Sequence, residues 1–319
     1  MVTDSGCLSD SFMRISVYIT SYNQKKYLIE AIESALAQTL KPCQIIIVDD
    51  CSNDGSQDVI SNYHSRFPNL ITPIYHPENT GVTQSRIDAL IAVKGDYVTY
   101  MDGDDRFFPS KIEKEAELLN KYPDAQIAFS NNYYMNEEGV HTGVWAESER
   151  PPQGYVFCQT FARDYPKSNL FRMELINYKA WKQVGFHDHH LYIYEDYDMR
   201  IRLAKRFKVV YVDEPLSEIR CHSKGLSHSK AVRHFEALDY IYRKNMCLLN
   251  DVSKSDKEYV MQRTGKWISQ VCRQAVDESL KDGKRVQAAR YLVAALRYNP
   301  SIYSLRTALR IITPGIRNV

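Results

Sequence analysis

Between Arg14 and Pro109 the chain alternates four times between a short apolar run and a segment of helical spacing. Arg14–Thr20 alternates as a strand. A helix begins near Asn23, with Leu28, Ile32, Ala35 and Leu36 on one face. Gln44–Val48 is a continuous apolar run of the kind buried on both sides of a parallel sheet. After an Asn53-Asp54-Gly55 turn, Ser56–Tyr63 reads as a helix, and Leu70–Tyr75 as a strand weakened by Pro73. Thr80-Gly81 opens a helix through Ala92, and Asp96–Met101 is a fourth strand. Pro109 suits the first turn of the next helix. Strand and helix in strict alternation predict an α/β fold with a mostly parallel sheet and helices on both faces.

Parallel strands all end on the same side, so 20–23, 49–50 and 102–105 are expected on one rim. Ligands of open α/β sheets dock at such a rim. The third of these segments is Asp102-Gly103-Asp104-Asp105. Three carboxylates at that density repel and need positive charge nearby. A hard divalent cation with oxygen ligands is the simplest partner. The plainer alternative is an acidic turn ahead of the Pro109 helix.

Farther on the pattern is mixed. A strand is expected near 126–130, a Pro-Pro-Gln-Gly turn at 151–154, helices near 174–183 and 195–206, and a strand at 208–212. Beyond about Arg233 the chain reads as helical. The 319 residues are 44% hydrophobic and 25% charged, which fits a globular protein with a sizeable core. A net charge of +2 makes no general case for nucleic-acid binding. From Lys284 to Val319, however, there are seven Lys or Arg and no Asp or Glu. Ile302, Leu305, Leu309 and Ile312 share a helical face there, with Arg306 and Arg310 off it. Such a helix either packs against the rest of the chain or lies on an anionic membrane surface. Seven cysteines without a CxxC pair are expected to be reduced thiols of a cytoplasmic protein. The opening residues carry Asp4 and Asp10 and no apolar signal-peptide run, and no stretch approaches the ~20 apolar residues of a membrane span.

Five motifs occur in order: Ile19-Thr20-Ser21-Tyr22-Asn23; Ala31-Ile32-Glu33-Ser34 with Gln38-Thr39; Val48-Asp49-Asp50-Cys51-Ser52-Asn53-Asp54-Gly55-Ser56; Asn79-Thr80-Gly81; and Asp102-Gly103-Asp104-Asp105. Together they resemble the family 2 glycosyltransferases of the GT-A fold, over roughly residues 14–225. Cys51 departs from the usual Gly or Asn. The resemblance implies a Rossmann-like, mostly parallel sheet over 14–230, with a nucleotide half (14–105) and an acceptor half (106–230). Residues 1–13 would be a loose lead-in and 231–319 a helical extension.

The resemblance also implies roles. Thr20 and Tyr22 would flank the uracil of a nucleotide-sugar donor, and Asp50 would accept its imide N–H, while Asp49 caps a helix. An ionised carboxylate accepts only, so it selects a donor edge, and a phenol ring offers a stacking face. Arg86 would reach the nucleotide with its planar guanidinium. Asp102 and Asp104 would lie near the donor, with Asp104 and Asp105 holding Mn²⁺ or Mg²⁺, and His222 joining the metal. Arg220 or Lys224 are alternatives for touching the diphosphate. In Glu195-Asp196, Asp196 would be the general base that takes the acceptor hydroxyl proton. The usual Gly-Gly-Phe-Asp ahead of it is here Val184-Gly185-Phe186-His187-Asp188. His187, His189 and His190 lack companion ligands at metal spacing and read as loop residues. The implied activity is inverting, metal-dependent transfer of a sugar from a nucleotide donor, UDP-linked by expectation, to a hydroxyl.

Two other classes compete. A nucleotidyltransferase also gathers acids round a metal, but calls for a Gly-rich basic phosphate loop after the first strand, where this chain has Thr20-Ser21-Tyr22-Asn23-Gln24. A non-catalytic binding module of this fold is expected to have lost a metal or base carboxylate. A nicotinamide dehydrogenase is disfavoured, because no GxGxxG follows the first strand.

Overall fold

A computed structural model describes residues 13–222, 229–296 and 298. The expectations for residues 1–12, Lys224 and the Ile302–Ile312 stripe lie outside the described residues. The order is β1 (Ile15–Ser21), α1 (Lys25–Leu36), β2 (Gln44–Asp49), α2 (Ser56–Arg66), β3 (Ile71–Tyr75), α3 (Val82–Ile91), β4 (Tyr97–Asp102) and β5 (Arg106–Phe107). Then come α4 (Lys111–Lys121), β6 (Ala125–Met135), β7 (His141–Val144), α5 (Phe157–Phe161), β8 (Leu175–Asn177), α6 (Tyr178–Val184), α7 (Glu195–Arg206) and β9 (Lys208–Arg220). Helices α8 (Ala231–Asn245), α9 (Lys254–Lys281) and α10 (Arg285–Leu296) follow.

One sheet runs in the order β3-β2-β1-β4-β8-β6-β9-β5, with β7 on β6. The first four strands are parallel, as the alternation predicts. Their side chains divide by the period of two. Val17 and Ile19 of β1, with Ile45 and Ile47 of β2, meet Leu28 and Ile32 of α1. Tyr18, Ile46 and Val48 face the other way, toward Ala89 and Leu90 of α3. That second core continues without a break through Trp181 and Met199 into Leu238, Ile268 and Val276 of the C-terminal helices.

The half beyond β4 departs from the sequence reading. The helix expected over 174–183 starts as a strand: Leu175-Ile176 is fully buried and inserted antiparallel between β4 and β6. Its three residues are held by neighbours on both sides, which a local pattern cannot reveal. Helix α6 begins only after Asn177, whose side chain accepts from the backbone N–H of Lys179 (2.9 Å) and Ala180 (3.3 Å). This is an N-cap, and Asn177→Ala should cost about 1 kcal/mol of unfolding free energy in a urea titration. The strands expected at 126–130 and 208–212 extend to Met135 and Arg220, paired parallel to each other through register shifts. Pro109 stands before the helix rather than in it; its carbonyl accepts the Thr39 N–H at 2.8 Å.

Candidate active site

The rim follows from register. Thr20 at the end of β1 pairs with Asp102 at the end of β4, and Ser21 with Asp49 of β2. The Thr20 hydroxyl donates to Asp102 Oδ1 at 3.1 Å. The next residue, Gly103, donates its N–H to the Thr20 carbonyl at 2.8 Å. A Cβ on Gly103 would lie 2.8 Å from Gln24 Oε1, a side-chain end that can swing aside, and 3.1 Å from the Thr20 carbonyl, so any larger residue would press the acidic turn away from β1 by a few tenths of an ångström.

The three carboxylates of the turn are not equivalent. Burial pushes the Asp102 carboxyl up, but Arg86 and then Arg172 more than offset this and hold it below its usual range. Arg86 is buried and donates to Asp102 Oδ1 and Glu195 Oε1, each at 2.7 Å. It thus ties the acidic turn to the start of α7 from beneath. Asp104 is pushed up by burial and then by Asp102, and Asp105 strongly so by burial, Asp104 and Asp102. His222 Nε2 lies 2.7 Å from Asp104 Oδ2, and its ring stacks on Tyr27 at 6.3 Å. Two crowded carboxylates short of positive charge, with an imidazole on one of them, fit a divalent cation that accepts oxygen and nitrogen ligands.

Arg220 does not face the diphosphate side. Its buried guanidinium donates to the carbonyls of Asp104 (2.9 Å) and Glu137 (2.9 Å) and to Glu30 (2.8 Å). Its backbone N–H donates to Asp105 Oδ1 at 2.8 Å. It braces the acidic turn instead.

On the nucleotide side, Tyr22 is 47% exposed at the rim. Asp50 is buried and almost saturated. Its Oδ1 accepts from the Thr80 N–H (2.8 Å) and hydroxyl (2.9 Å) and faces His76 Nδ1 (2.8 Å), while Oδ2 accepts from the Gly81 N–H (2.8 Å). Burial pushes its carboxyl up, but these bonds, from His76 first, hold it below the usual range. Asn79-Thr80-Gly81 thus anchors Asp50. Asp49 does not cap a helix as expected, since α2 starts after Gly55 without a side-chain cap; its Oδ1 accepts from the Ser52 N–H at 2.9 Å and from Gln57 Nε2 at 2.8 Å and holds the loop between them.

The opposite wall is the first turn of α7. Asp196 keeps 21% of its side chain exposed. Its Oδ2 accepts from Arg200 Nη1 at 2.6 Å, and Oδ1 from the Tyr197 N–H at 2.8 Å. Burial raises its carboxyl, but Arg200, Arg86 and Arg172 outweigh this and hold it far below its usual range. Arg200 is itself locked by Glu174 Oε1 at 2.9 Å and by the Tyr100 hydroxyl. Asp198, two residues after Asp196, is fully buried on Lys244, Asn245 and Arg202 and does not reach the cleft. His187 lies in the loop between α6 and α7, as expected, but it is buried there, with Nδ1 at 3.3 Å from the Glu195 carbonyl, and burial lowers it to about 3. His189 and His190 are exposed beside Asp188. Asp102, Asp105, Arg172 and Asp196 line one cleft. The acidic turn and the α7 carboxylate, 94 or so residues apart by the numbering of Asp102 and Asp196, therefore share a single working space.

Residues 16–191 match the glycosyl transferase family 2 model, more than half of the chain. The chain belongs to glycosyl transferase family 2. An uncharacterized protein of Mycobacterium tuberculosis is 28% identical over 221 residues, covering 67% of this chain; the chain spans 61% of that relative's length. Among solved structures, Staphylococcus aureus TarS (residues 1–349) in complex with UDP superposes with a TM-score of 0.65 at 16% identity, over 90% of this chain and 81% of that one. A mannosyltransferase from Pyrobaculum calidifontis in complex with GDP-Man and Mn²⁺ gives 0.57 at 14% identity, over 95% and 86%. At these identities the structures show the GT-A fold. The family 2 match ends at Leu191, just short of Glu195-Asp196.

Three features of this family 2 site escape a sequence reading. His76 beside Asp50 and the Glu174–Arg200–Tyr100 lock beside Asp196 are long-range contacts. The Asp196–Arg200 pair itself has i,i+4 spacing and was findable. Glu195 is the third: burial raises its carboxyl from 4.5 to about 6, against the pull of Arg86. A raised carboxyl binds its proton more readily folded than unfolded, so its stabilising contribution is full below pH 4.5 and lost as pH rises through about 6. The wild type should therefore lose about 2 kcal/mol relative to Glu195→Gln between pH 4.5 and neutrality, read by urea titration at each pH. A pH-independent difference would contradict this.

Proposed function

We propose that the protein transfers a sugar from a nucleotide-sugar donor, UDP-linked, to a hydroxyl acceptor, with inversion and with Mn²⁺ or Mg²⁺. The observation that carries this reading is the shared cleft: the acidic turn at the end of β4 and the carboxylate of α7 face one space. Transfer by a single displacement needs a site for the leaving nucleoside diphosphate on one side of the anomeric carbon and a base on the other. The family 2 membership supports the same chemistry. TarS is described in complex with UDP and with UDP-GlcNAc, and the P. calidifontis mannosyltransferase with GDP-Man and Mn²⁺.

In this reading Tyr22 stacks on the base, and Asp50 accepts its imide N–H through the lone pair left on Oδ2. Thr20 and Asp102 close the rim beside the ribose. Arg86 acts from below by aiming Asp102 and Glu195. Asp104, Asp105 and His222 would hold the cation, which supplies charge to offset the departing diphosphate. Asp196 takes the acceptor proton. A strongly acidic carboxyl suits the role: it stays ionised, and the hydroxyl becomes acidic only as its oxygen bonds to carbon. No helix of the described residues is long and apolar enough to cross a membrane. The described cysteines are all free, which supports a cytoplasmic setting. Contact of the basic segment after Lys284 with an anionic leaflet belongs to the same proposal.

The donor assignment is tested by thermal stabilisation. UDP with Mn²⁺ at about 100 times its Kd should add about 2.7 kcal/mol to stability and raise the Tm. Cytosine N3 carries no hydrogen and would set an acceptor against the Asp50 carboxylate, so CDP should do much less. Equal shifts with UDP, GDP and CDP would remove Tyr22 and Asp50 from the base site.

A further inference from the structure

Arg172 sits in the cleft and acts on Asp102 and Asp196 through space, without a hydrogen bond to either. It is the one exposed residue between Leu170 and Ile176. The backbone on either side of it is pinned. Phe171 is buried and stacks on Phe129 at 4.4 Å. The Met173 carbonyl accepts the Thr99 hydroxyl at 2.9 Å, and Glu174 is fully buried on Arg200 and Tyr100. Met173 has φ +57°, the left-handed region that disfavours a side chain. Such strain persists where the surroundings over-determine it, and it clusters at working sites. Here it breaks an otherwise buried run and turns one guanidinium out beside Asp102, Asp105 and Asp196.

Among the described residues Arg172 makes no hydrogen bond and no ion pair within 4.0 Å. The other two cations of the cleft are committed: Arg86 to Asp102 and Glu195, and Arg200 to Glu174 and Asp196. Arg172 is therefore the spare positive charge, on a backbone already fixed. A guanidinium is a pre-organised planar fork that loses less freedom per hydrogen bond formed than an ammonium does, and it binds phosphate oxygens through two parallel N–H bonds.

We propose that Arg172 binds the β-phosphate of the donor and of the departing nucleoside diphosphate, sharing with the metal the charge that develops as the bond to the sugar breaks. This rests on the donor reading above and goes beyond it by assigning a protein cation to the phosphate that bears the leaving charge. The balance is that of a single displacement: the acceptor oxygen bonds to the anomeric carbon, the β-phosphate oxygen leaves with the bonding pair, and the acceptor proton passes to Asp196.

The test is calorimetric titration of the full chain in Mn²⁺ with UDP, UMP and uridine, on wild type, Arg172→Ala and Arg172→Lys. The expected result is a loss of UDP affinity of about 10- to 100-fold in Arg172→Ala. UMP and uridine, which lack the β-phosphate, should bind as they do to wild type. Arg172→Lys should recover part of the loss, because the charge returns without the planar fork. Cooperative melting of each free variant checks that the fold is intact. UDP binding unchanged by Arg172→Ala, or UMP weakened as much as UDP, overturns the assignment. If the wild type itself binds no nucleoside diphosphate in Mn²⁺, the donor reading falls and this inference with it; the two failures are distinguished by the wild-type titration.

Discussion

Asp196→Asn should leave UDP affinity in Mn²⁺ unchanged and cut turnover by about 10²- to 10⁴-fold, the usual contribution of a positioned general base. The substitution keeps the shape of the side chain and one acceptor oxygen, and removes the negative charge and with it the capacity to take a proton. The lock behind it survives: Arg200 keeps Glu174 at 2.9 Å and the Tyr100 hydroxyl, so α7 should not move. Glu195→Gln is the control. Glu195 is buried and turned onto Arg86, so it has no path to an acceptor and its loss should cost far less turnover. Assay with a verified acceptor decides. Near-full transfer by Asp196→Asn would remove Asp196 as the base.

Asp105→Asn should have the opposite signature. UDP affinity should fall in Mn²⁺ and stay the same without metal, and transfer should fall by roughly 10³-fold or more, because Lewis-acid help to a leaving oxygen is worth several kcal/mol. The fold should tolerate the change. Arg220 reaches Asp105 Oδ1 through its backbone N–H at 2.8 Å, and an amide oxygen accepts that bond as well as a carboxylate does. Equal loss of UDP affinity with and without Mn²⁺ would show that Asp105 touches the nucleotide directly and is not a metal ligand.

These two carboxylates were legible in the chain for a local reason. Asp105 closes a run that ends a strand, and Asp196 opens a helix four residues before Arg200; strand ends and helix starts are set by neighbours in sequence. What surrounds them was not legible. Arg86 meets Glu195 across 109 positions, and Arg220 meets Glu30 across 190. Arg220 illustrates the cost: read alone it is a free cation near the phosphates, and in the fold it is a buried brace for the acidic turn.

The parallel half of the sheet, its helices and the acidic rim were determined by the sequence itself, because each strand from β1 to β4 carries its own apolar run and each ends at its own polar turn. The other half was decided by tertiary structure. Leu175–Asn177 becomes a strand only because β4 and β6 leave an antiparallel slot for it, and three residues cannot signal that by themselves. The same packing sets the charges of the site. Glu195 is shifted to about 6 by burial, Asp104 is pushed up by burial and Asp102, and Asp105 by burial, Asp104 and Asp102, effects that exist only once the low-dielectric wall is assembled around them.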